Sequence, residues 1–127
     1  DSGGALTSGT LVVWDNDDTE FAQSGNPYVT TTTTADSPWI AGVIYDDSVA
    51  DQAVGSMVYY GLTQVRVADS TDNAAEDTLI SSSTVAGQAG DYGPAANTCA
   101  LGMDLEDLTG SNNNNELHRV FVNVNCQ

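Results

Sequence analysis

Short runs of β-branched and aromatic residues, bounded by Gly, Asp, Asn or Ser, recur along the chain, and helical periodicity is scarce. Such runs are typical of β-strands, because branched side chains pack well on a pleated, half-buried surface. They predict strands at 10–14, 28–34, 40–45, 56–60, 63–68, 78–81, 99–105 and 119–125. Only 47–53 and 73–76 suit a helical turn. The pattern therefore predicts an all-β fold, a small antiparallel barrel or sandwich of about eight short strands.

One hairpin can be put in register from the two cysteines. If Cys99 lies opposite Cys126 in an antiparallel pair, their face otherwise carries only apolar pairs: Leu101 with Val124, Met103 with Val122, and Leu105 with Val120. The other face joins Ala100 with Asn125, Gly102 with Asn123, Asp104 with Phe121, and the opposite charges of Glu106 and Arg119. A shift of one residue would mix the two faces, so the hydrophobic pattern and the cysteine positions favour the same register.

This register predicts a disulfide between Cys99 and Cys126 across the open end of the hairpin. The bridge would hold the C-terminal strand, which otherwise frays. It also implies an oxidising compartment, because disulfides persist in secreted and surface proteins. Two buried free thiols are the alternative.

A second hairpin is predicted around Gly61 and Leu62. Glycine at the first position of a two-residue loop is typical of a type II′ turn, whose twist suits paired strands. The turn would join the predicted strands 56–60 and 63–68 in one half-buried ribbon.

The charge excludes several classes of partner. Eighteen acidic residues face two arginines, Arg66 and Arg119, which gives a formal net charge of −16, and the chain has no lysine. Such a surface repels nucleic-acid phosphates and anionic lipid headgroups, so we expect no nucleic-acid partner. The missing lysine rules out a Schiff base, a P-loop lysine and a lysine isopeptide crosslink.

The compartment expected from the sequence is extracellular, either secreted or on a cell or virion surface. The chain starts at Asp1 without an initiator Met, as a mature product does after removal of a targeting segment. It has no run of eighteen apolar residues, so no membrane insertion is predicted.

No catalytic residues are predicted, and we expect the protein not to be an enzyme. His118 is the single histidine, and the register above predicts it at an exposed loop edge beside Glu116 and Arg119. No G-x-S-x-G turn marks a nucleophile. Acidic clusters could supply the carboxylate pair of a glycosidase-type hydrolase, which is the least favoured alternative.

The one metal-site hypothesis is calcium. Asp15, Asp17, Thr19 and Glu20 present oxygen atoms on a loop that follows a predicted strand, as hard cations prefer. The loop departs from the EF-hand pattern, so either a calcium site or a solvated acidic turn fits it. No other cofactor is predicted.

The order of these signals resembles the small β-barrel modules of phage tail-fibre and capsid-decoration proteins and of secreted bacterial surface proteins. The resemblance is carried by GTLVVWD at 9–15, IAGVI at 40–44, GSMVYYG at 55–61, VRV at 65–67, DTLI at 77–80, ALGMDLE at 100–106 and VFVNV at 120–124. It implies a structural or adhesive role with no catalytic residues. The cysteine pair, the acidity and the missing lysine depart from these modules and favour an exported cellular protein.

The chain is predicted to have a flexible extension at 1–9, a possible donor strand, and a single all-β domain at 10–127. Two segments suit assembly through β-strand contacts. One is Gly3, Gly4, Ala5 and Leu6 in the extension. The other is Thr30, Thr32 and Thr34, on a predicted strand whose two faces differ little. We therefore predict a structural subunit of an extracellular filament or surface assembly that binds copies of itself. A glycan- or receptor-binding surface module is the alternative.

Overall fold

A computed structural model describes residues 4–15, 27–68, 79–93, 97–106 and 115–126. All regular structure in these ranges is β, which confirms the predicted fold class. The strands are β1 (Leu6–Thr7), β2 (Leu11–Asp15), β3 (Tyr28–Thr30), β4 (Ile40–Ile44), β5 (Ser48–Val49), β6 (Met57–Val58), β7 (Tyr60–Val67), β8 (Leu79–Ser82), β9 (Ala89–Asp91), β10 (Cys99–Asp104) and β11 (Glu116–Cys126). The helical turn expected at 47–53 is wrong, because β5 occupies part of it. The one at 73–76 lies outside the described residues.

The strands form three sheets. A closed barrel has the order β10-β11-β7-β9-β8, and its strands are antiparallel except for β7 and β9, which are parallel. A four-stranded antiparallel sheet has the order β3-β2-β4-β6, and β1 pairs with β5.

The four-stranded sheet lies between two apolar clusters. On one face, Leu11 and Val43 join the core of the barrel, where they pack with inward-facing residues such as Val65 and Val120. On the other face, Val12, Ala41 and Ile44 pack with Leu6 and Val49 of the β1–β5 pair. Alternation along β2 and β4 thus sends neighbouring side chains to different clusters. Each fully buried Val or Leu contributes about 1.5–3 kcal/mol.

The hairpin predicted around Gly61 and Leu62 is wrong. Both residues lie inside β7, which runs from Tyr60 to Val67 and pairs with β11 along its whole length. The chain bends at Tyr59 instead, and β6 pairs with β4. The long partner strand β11 satisfies the hydrogen bonds of β7, so no tight turn forms there.

The hairpin of the two cysteines begins in the predicted register and then shifts. Cys99 lies opposite Cys126 and Ala100 opposite Asn125, as predicted. An irregularity follows, after which Gly102 lies opposite Val122. In this interval β11 has one residue more than β10, so the predicted pairs of Gly102, Met103 and Asp104 are wrong by one position. The predicted opposite-charge pair of Glu106 and Arg119 is confirmed as an ion pair. A bulge of this kind reverses which residues of β10 face inward.

Gly102 is required where β10 and β11 approach each other at the bulge. A Cβ added to it would collide with the backbone carbonyl of Phe121 and lie 2.9 Å from the Cα of Val122. Neither backbone atom can move without disturbing the ladder. The bulge therefore depends on a residue without a side chain.

We expect Gly102→Ala to lower the free energy of unfolding by about 1–3 kcal/mol, because overpacking forces backbone shifts. Urea denaturation followed by tryptophan fluorescence measures the change. Gly4→Ala is the matched control, since a Cβ there would have nothing within 4 Å. Equal midpoints for the two variants would contradict this account of the bulge.

Candidate functional site

The predicted disulfide is confirmed: Cys99 and Cys126 are bonded, with a Cα–Cα distance of 4.0 Å. Cys99 is fully buried in the barrel core, and Cys126 is exposed near the end of β11. The bond closes the open end of the β10–β11 hairpin. A disulfide is consistent with an oxidising, extracellular environment.

His118 is not at an exposed loop edge, so that prediction is wrong. It lies inside β11 with 4% of its surface exposed, and its Nδ1 atom is 3.0 Å from Oδ2 of Asp104, which is fully buried. The other carboxylate oxygen of Asp104 accepts a hydrogen bond from the backbone N–H of Glu106 at 3.0 Å. In the tautomer of His118 that carries its hydrogen on Nδ1, this atom donates to the carboxylate.

The register shift brings this pair together. Asp104 lies opposite Val120, so His118 is its diagonal neighbour two residues along β11. The predicted register instead put Asp104 on the outer face opposite Phe121. A glycine in the middle of a strand, here Gly102, often marks a bulge, and it was the one sequence signal for the change.

In a catalytic triad, an aspartate likewise accepts a hydrogen bond from the histidine and orients its ring. Among the described residues, no hydroxyl or thiol forms a hydrogen bond with His118. The buried serines Ser81, Ser82 and Ser83 donate to the backbone carbonyls of Cys99, Thr34 and Val85. Among the described residues, the hydrogen bond between Asp104 and His118 joins β10 to β11 of the barrel.

The calcium hypothesis falls mainly outside the described residues. Asp15 ends β2, whereas Asp17, Thr19 and Glu20 lie in the undescribed range 16–26. Within the ranges that the structure describes, no group of three or more His, Cys, Asp or Glu side chains is arranged to hold a metal ion. Calcium binding therefore stays a prediction.

Of the residues predicted for assembly through the extension, Leu6 packs on its own domain. Leu6 is buried and lies opposite Val49, while Gly4 and Ala5 precede β1 and are exposed. Gly3 lies outside the described residues. Ser8 to Thr10 continue directly into β2, and the carbonyl of Gly9 accepts a hydrogen bond from the backbone N–H of Arg66 at 2.8 Å.

The predicted threonine strand is shorter than expected. Thr30 lies in β3 opposite Val13, but β3 ends there. Thr32 Oγ1 accepts a hydrogen bond from the backbone N–H of Thr34, and the Thr34 carbonyl accepts one from Ser82 Oγ of the barrel. Local side-chain hydrogen bonds thus replace strand pairing over 31–34.

The outward side chains of β7 and β11 form a set of cross-strand pairs that we call the outer ladder. Its pairs are Tyr60 with Asn123, Leu62 with Phe121, Gln64 with Arg119, and Arg66 with Leu117. The ladder carries both arginines, which are the only Lys or Arg residues of the chain. Apart from these, the charged side chains of the protein are carboxylates.

An exposed apolar row crosses the outer ladder. Leu79 lies opposite Met103, Met103 opposite Phe121, and Phe121 opposite Leu62, so the row spans β8, β10, β11 and β7. Leu62 is 72% exposed and Leu79 49%. The ring of Tyr60 packs edge-on against Phe121, with centroids 5.3 Å apart. The row is therefore a candidate interaction surface.

Arg119 also forms an ion pair beside the row. Its Nε donates to Oε1 of Glu106 at 2.6 Å. This hydrogen bond lowers the pKa of Glu106 below its ordinary value. The guanidinium stays 69% exposed and can meet another surface. Such an exposed pair contributes at most about 1 kcal/mol to stability.

A second apolar surface lies on the face of the four-stranded sheet that packs with the β1–β5 pair. It is a groove of about 460 Å³ between the four-stranded sheet and the β1–β5 pair. Its apolar lining includes Trp14, Tyr28, Val29, Ile44, Val54 and Met57. Asp51 also lines the groove, and Asp46 and Asp47 belong to the same connection between β4 and β6. The sequence analysis missed both this groove and the apolar row.

Comparisons with known proteins gave no match: no family model, curated protein or solved structure is similar to the chain. The resemblance to phage tail-fibre and bacterial surface modules therefore stays a prediction. Over the described ranges, the structure has no helix with the length and apolar character needed to cross a membrane.

Proposed function

We propose that the protein is a structural subunit of an extracellular assembly and that it binds copies of itself through the outer ladder. The observation that carries this proposal is the apolar row of Leu79, Met103, Phe121 and Leu62. A chain with a net charge of −16 has many polar groups for its surface, yet four neighbouring strands present apolar side chains in one line. A partner surface that covers the row explains this.

Energetics support a contact that covers the whole row. Full burial of a Leu, Met or Phe side chain contributes about 1.5–3 kcal/mol. Association costs several kcal/mol in lost translational and rotational freedom, so one covered residue is too little. Four adjacent apolar residues, of which Leu62 and Leu79 have the most surface left to bury, contribute more than one covered residue can, and the exposed side chain of Arg119 adds to them.

The net charge makes self-association sensitive to salt. Copies that each carry −16 repel one another at a distance. Salt at about 0.15 M shortens the range of this repulsion to about 8 Å. Assembly in a saline exterior fits the disulfide, which favours the same compartment.

Contact through side chains is favoured over donation of the N-terminal strand. Leu6 is buried against its own domain, where β1 pairs with β5. Donation of Leu6 to a neighbour would first have to break this pair and expose the cluster beneath it. The outer ladder needs no such rearrangement.

We expect the purified chain to form larger species as its concentration and the salt concentration rise. Leu62→Glu should weaken this association at least about tenfold, because a charge would replace the most exposed residue of the row. Sedimentation velocity measures the effect, and electron microscopy identifies the product. Val85→Glu is the matched control, since Val85 is exposed but lies outside the row. A wild-type chain that stays monomeric at about 1 mM would contradict the proposal.

A further inference from the structure

We infer that the groove of one copy receives the apolar row of the next copy, so that the copies assemble head to tail. This inference rests on the proposed function and identifies the partner surface. The two surfaces are both apolar, they differ in charge, and they belong to different sheets.

The two surfaces face away from the core that joins the sheets. Inward residues of β7, β10 and β11, such as Val65, Leu101 and Val120, share one core with Leu11 and Val43 of the four-stranded sheet. The side chains of the row lie on the outer face of β7 and β11 and point away from that core. The Arg66–Leu117 end of the outer ladder adjoins Gly9, whose backbone N–H donates to the carbonyl of Ile44. The groove is on the other face of the four-stranded sheet, where Ile44 packs away from the barrel.

The charges of the two faces are complementary. Arg66 and Arg119 both lie on the outer ladder, and no other side chain of the protein is a Lys or Arg. The groove side carries Asp51 in its lining, with Asp46 and Asp47 in the same connection. A row placed against a groove brings the exposed side chain of Arg119, which is paired with Glu106 on its own chain, towards further carboxylates on the next copy.

The shapes agree with the charges. The row is a line of side chains that project from a sheet, and the groove is a concave surface lined by Trp14, Tyr28 and Met57. Val54, on the rim of the groove, is fully exposed and would be covered in such a contact. Each copy would use both of its apolar surfaces.

Head-to-tail contact determines the form of the assembly. A contact between two different surfaces leaves one of each free on every copy, so it repeats from copy to copy. A contact of the row with itself would stop at a dimer. The inference therefore specifies a repeating assembly, which is an open filament unless the rotation between copies closes a ring.

Two surface variants test the inference. Leu62→Glu disables the row and leaves the groove intact, whereas Val54→Arg disables the groove and leaves the row intact. Both positions are exposed, so we expect unchanged urea midpoints. Under conditions in which the wild-type chain forms filaments, each variant alone should be monomeric. An equimolar mixture should give a one-to-one dimer, because a single functional contact remains.

Other outcomes distinguish failure of the inference from failure of the proposed function. Filament formation by Val54→Arg at wild-type strength would overturn the inference, because the groove would then play no part. A mixture that stays monomeric would overturn it as well. So would glycan binding to the groove of a monomeric wild-type chain, if Val54→Arg abolished that binding. Failure of the wild-type chain to assemble would instead overturn the proposed function.

Discussion

Asp104→Ala is expected to lower the free energy of unfolding by about 3–5 kcal/mol, although the residue removed is charged and the chain is already highly acidic. The carboxylate is fully buried and accepts two hydrogen bonds, from Nδ1 of His118 and from the backbone N–H of Glu106. Alanine would leave both donors in the barrel without an acceptor. Unpartnered buried donors cost about 1–3 kcal/mol each.

Urea denaturation measures this loss, and three further variants define its cause. Asp104→Asn keeps an acceptor oxygen and should lose less than Asp104→Ala. Asp47→Ala removes an exposed carboxylate from a surface with excess negative charge, so it should be neutral or slightly stabilising. A double-mutant cycle with His118→Ala should give a coupling energy of about 1–3 kcal/mol. Equal midpoints for Asp104→Ala and Asp47→Ala would show that the pair does not stabilise the barrel.

The fold class could be predicted from sequence because alternation is a local signal. Most of the described strands begin and end within a few residues of the predicted runs, since β-branched residues and the Gly, Asp and Asn between them act over short distances. The strands β1, β5 and β9 were missed, because two or three residues are too short to show a period. Strand 28–34 was overextended, since threonine side chains also form local hydrogen bonds.

The register could be predicted only as far as the alternation continued. The cysteines fixed the end of the β10–β11 hairpin, and the bulge then changed the inward face of β10. Met103, expected inside, became part of the exposed row, and Asp104, expected outside, became the buried partner of His118. One extra residue in β11 accounts for both errors.

The candidate site could not be predicted because it depends on pairing between distant strands. Leu79, Met103, Phe121 and Leu62 form one row only after β8, β10, β11 and β7 become neighbours. Their order in the barrel differs from their order in the chain. Each residue alone is an ordinary strand residue, and the exposed row arises from the topology.

Reduction of the Cys99–Cys126 disulfide is expected to lower the free energy of unfolding by about 3.5 kcal/mol. The bond closes a loop with a sequence separation of 27, and the unfolded chain gains the corresponding freedom when the loop opens. That loop contains β10 and β11, which supply the inward residues Leu101, Val120 and Val122. Urea denaturation with and without reductant measures the change. Urea is preferable to guanidinium chloride, whose ions would screen the net charge of −16.

A chain with both cysteines replaced by alanine distinguishes the bond from the reductant itself. Its midpoint should match that of the reduced wild type, apart from the small cavity left at Cys99, and should not respond to reductant. Mass spectrometry after alkylation would verify that both thiols of the wild type had been released. If the fully reduced wild type then unfolded at the oxidised midpoint, the packing of β10 and β11 would hold the hairpin without the bond. The bridge would in that case mark the compartment of the protein and contribute little to its stability.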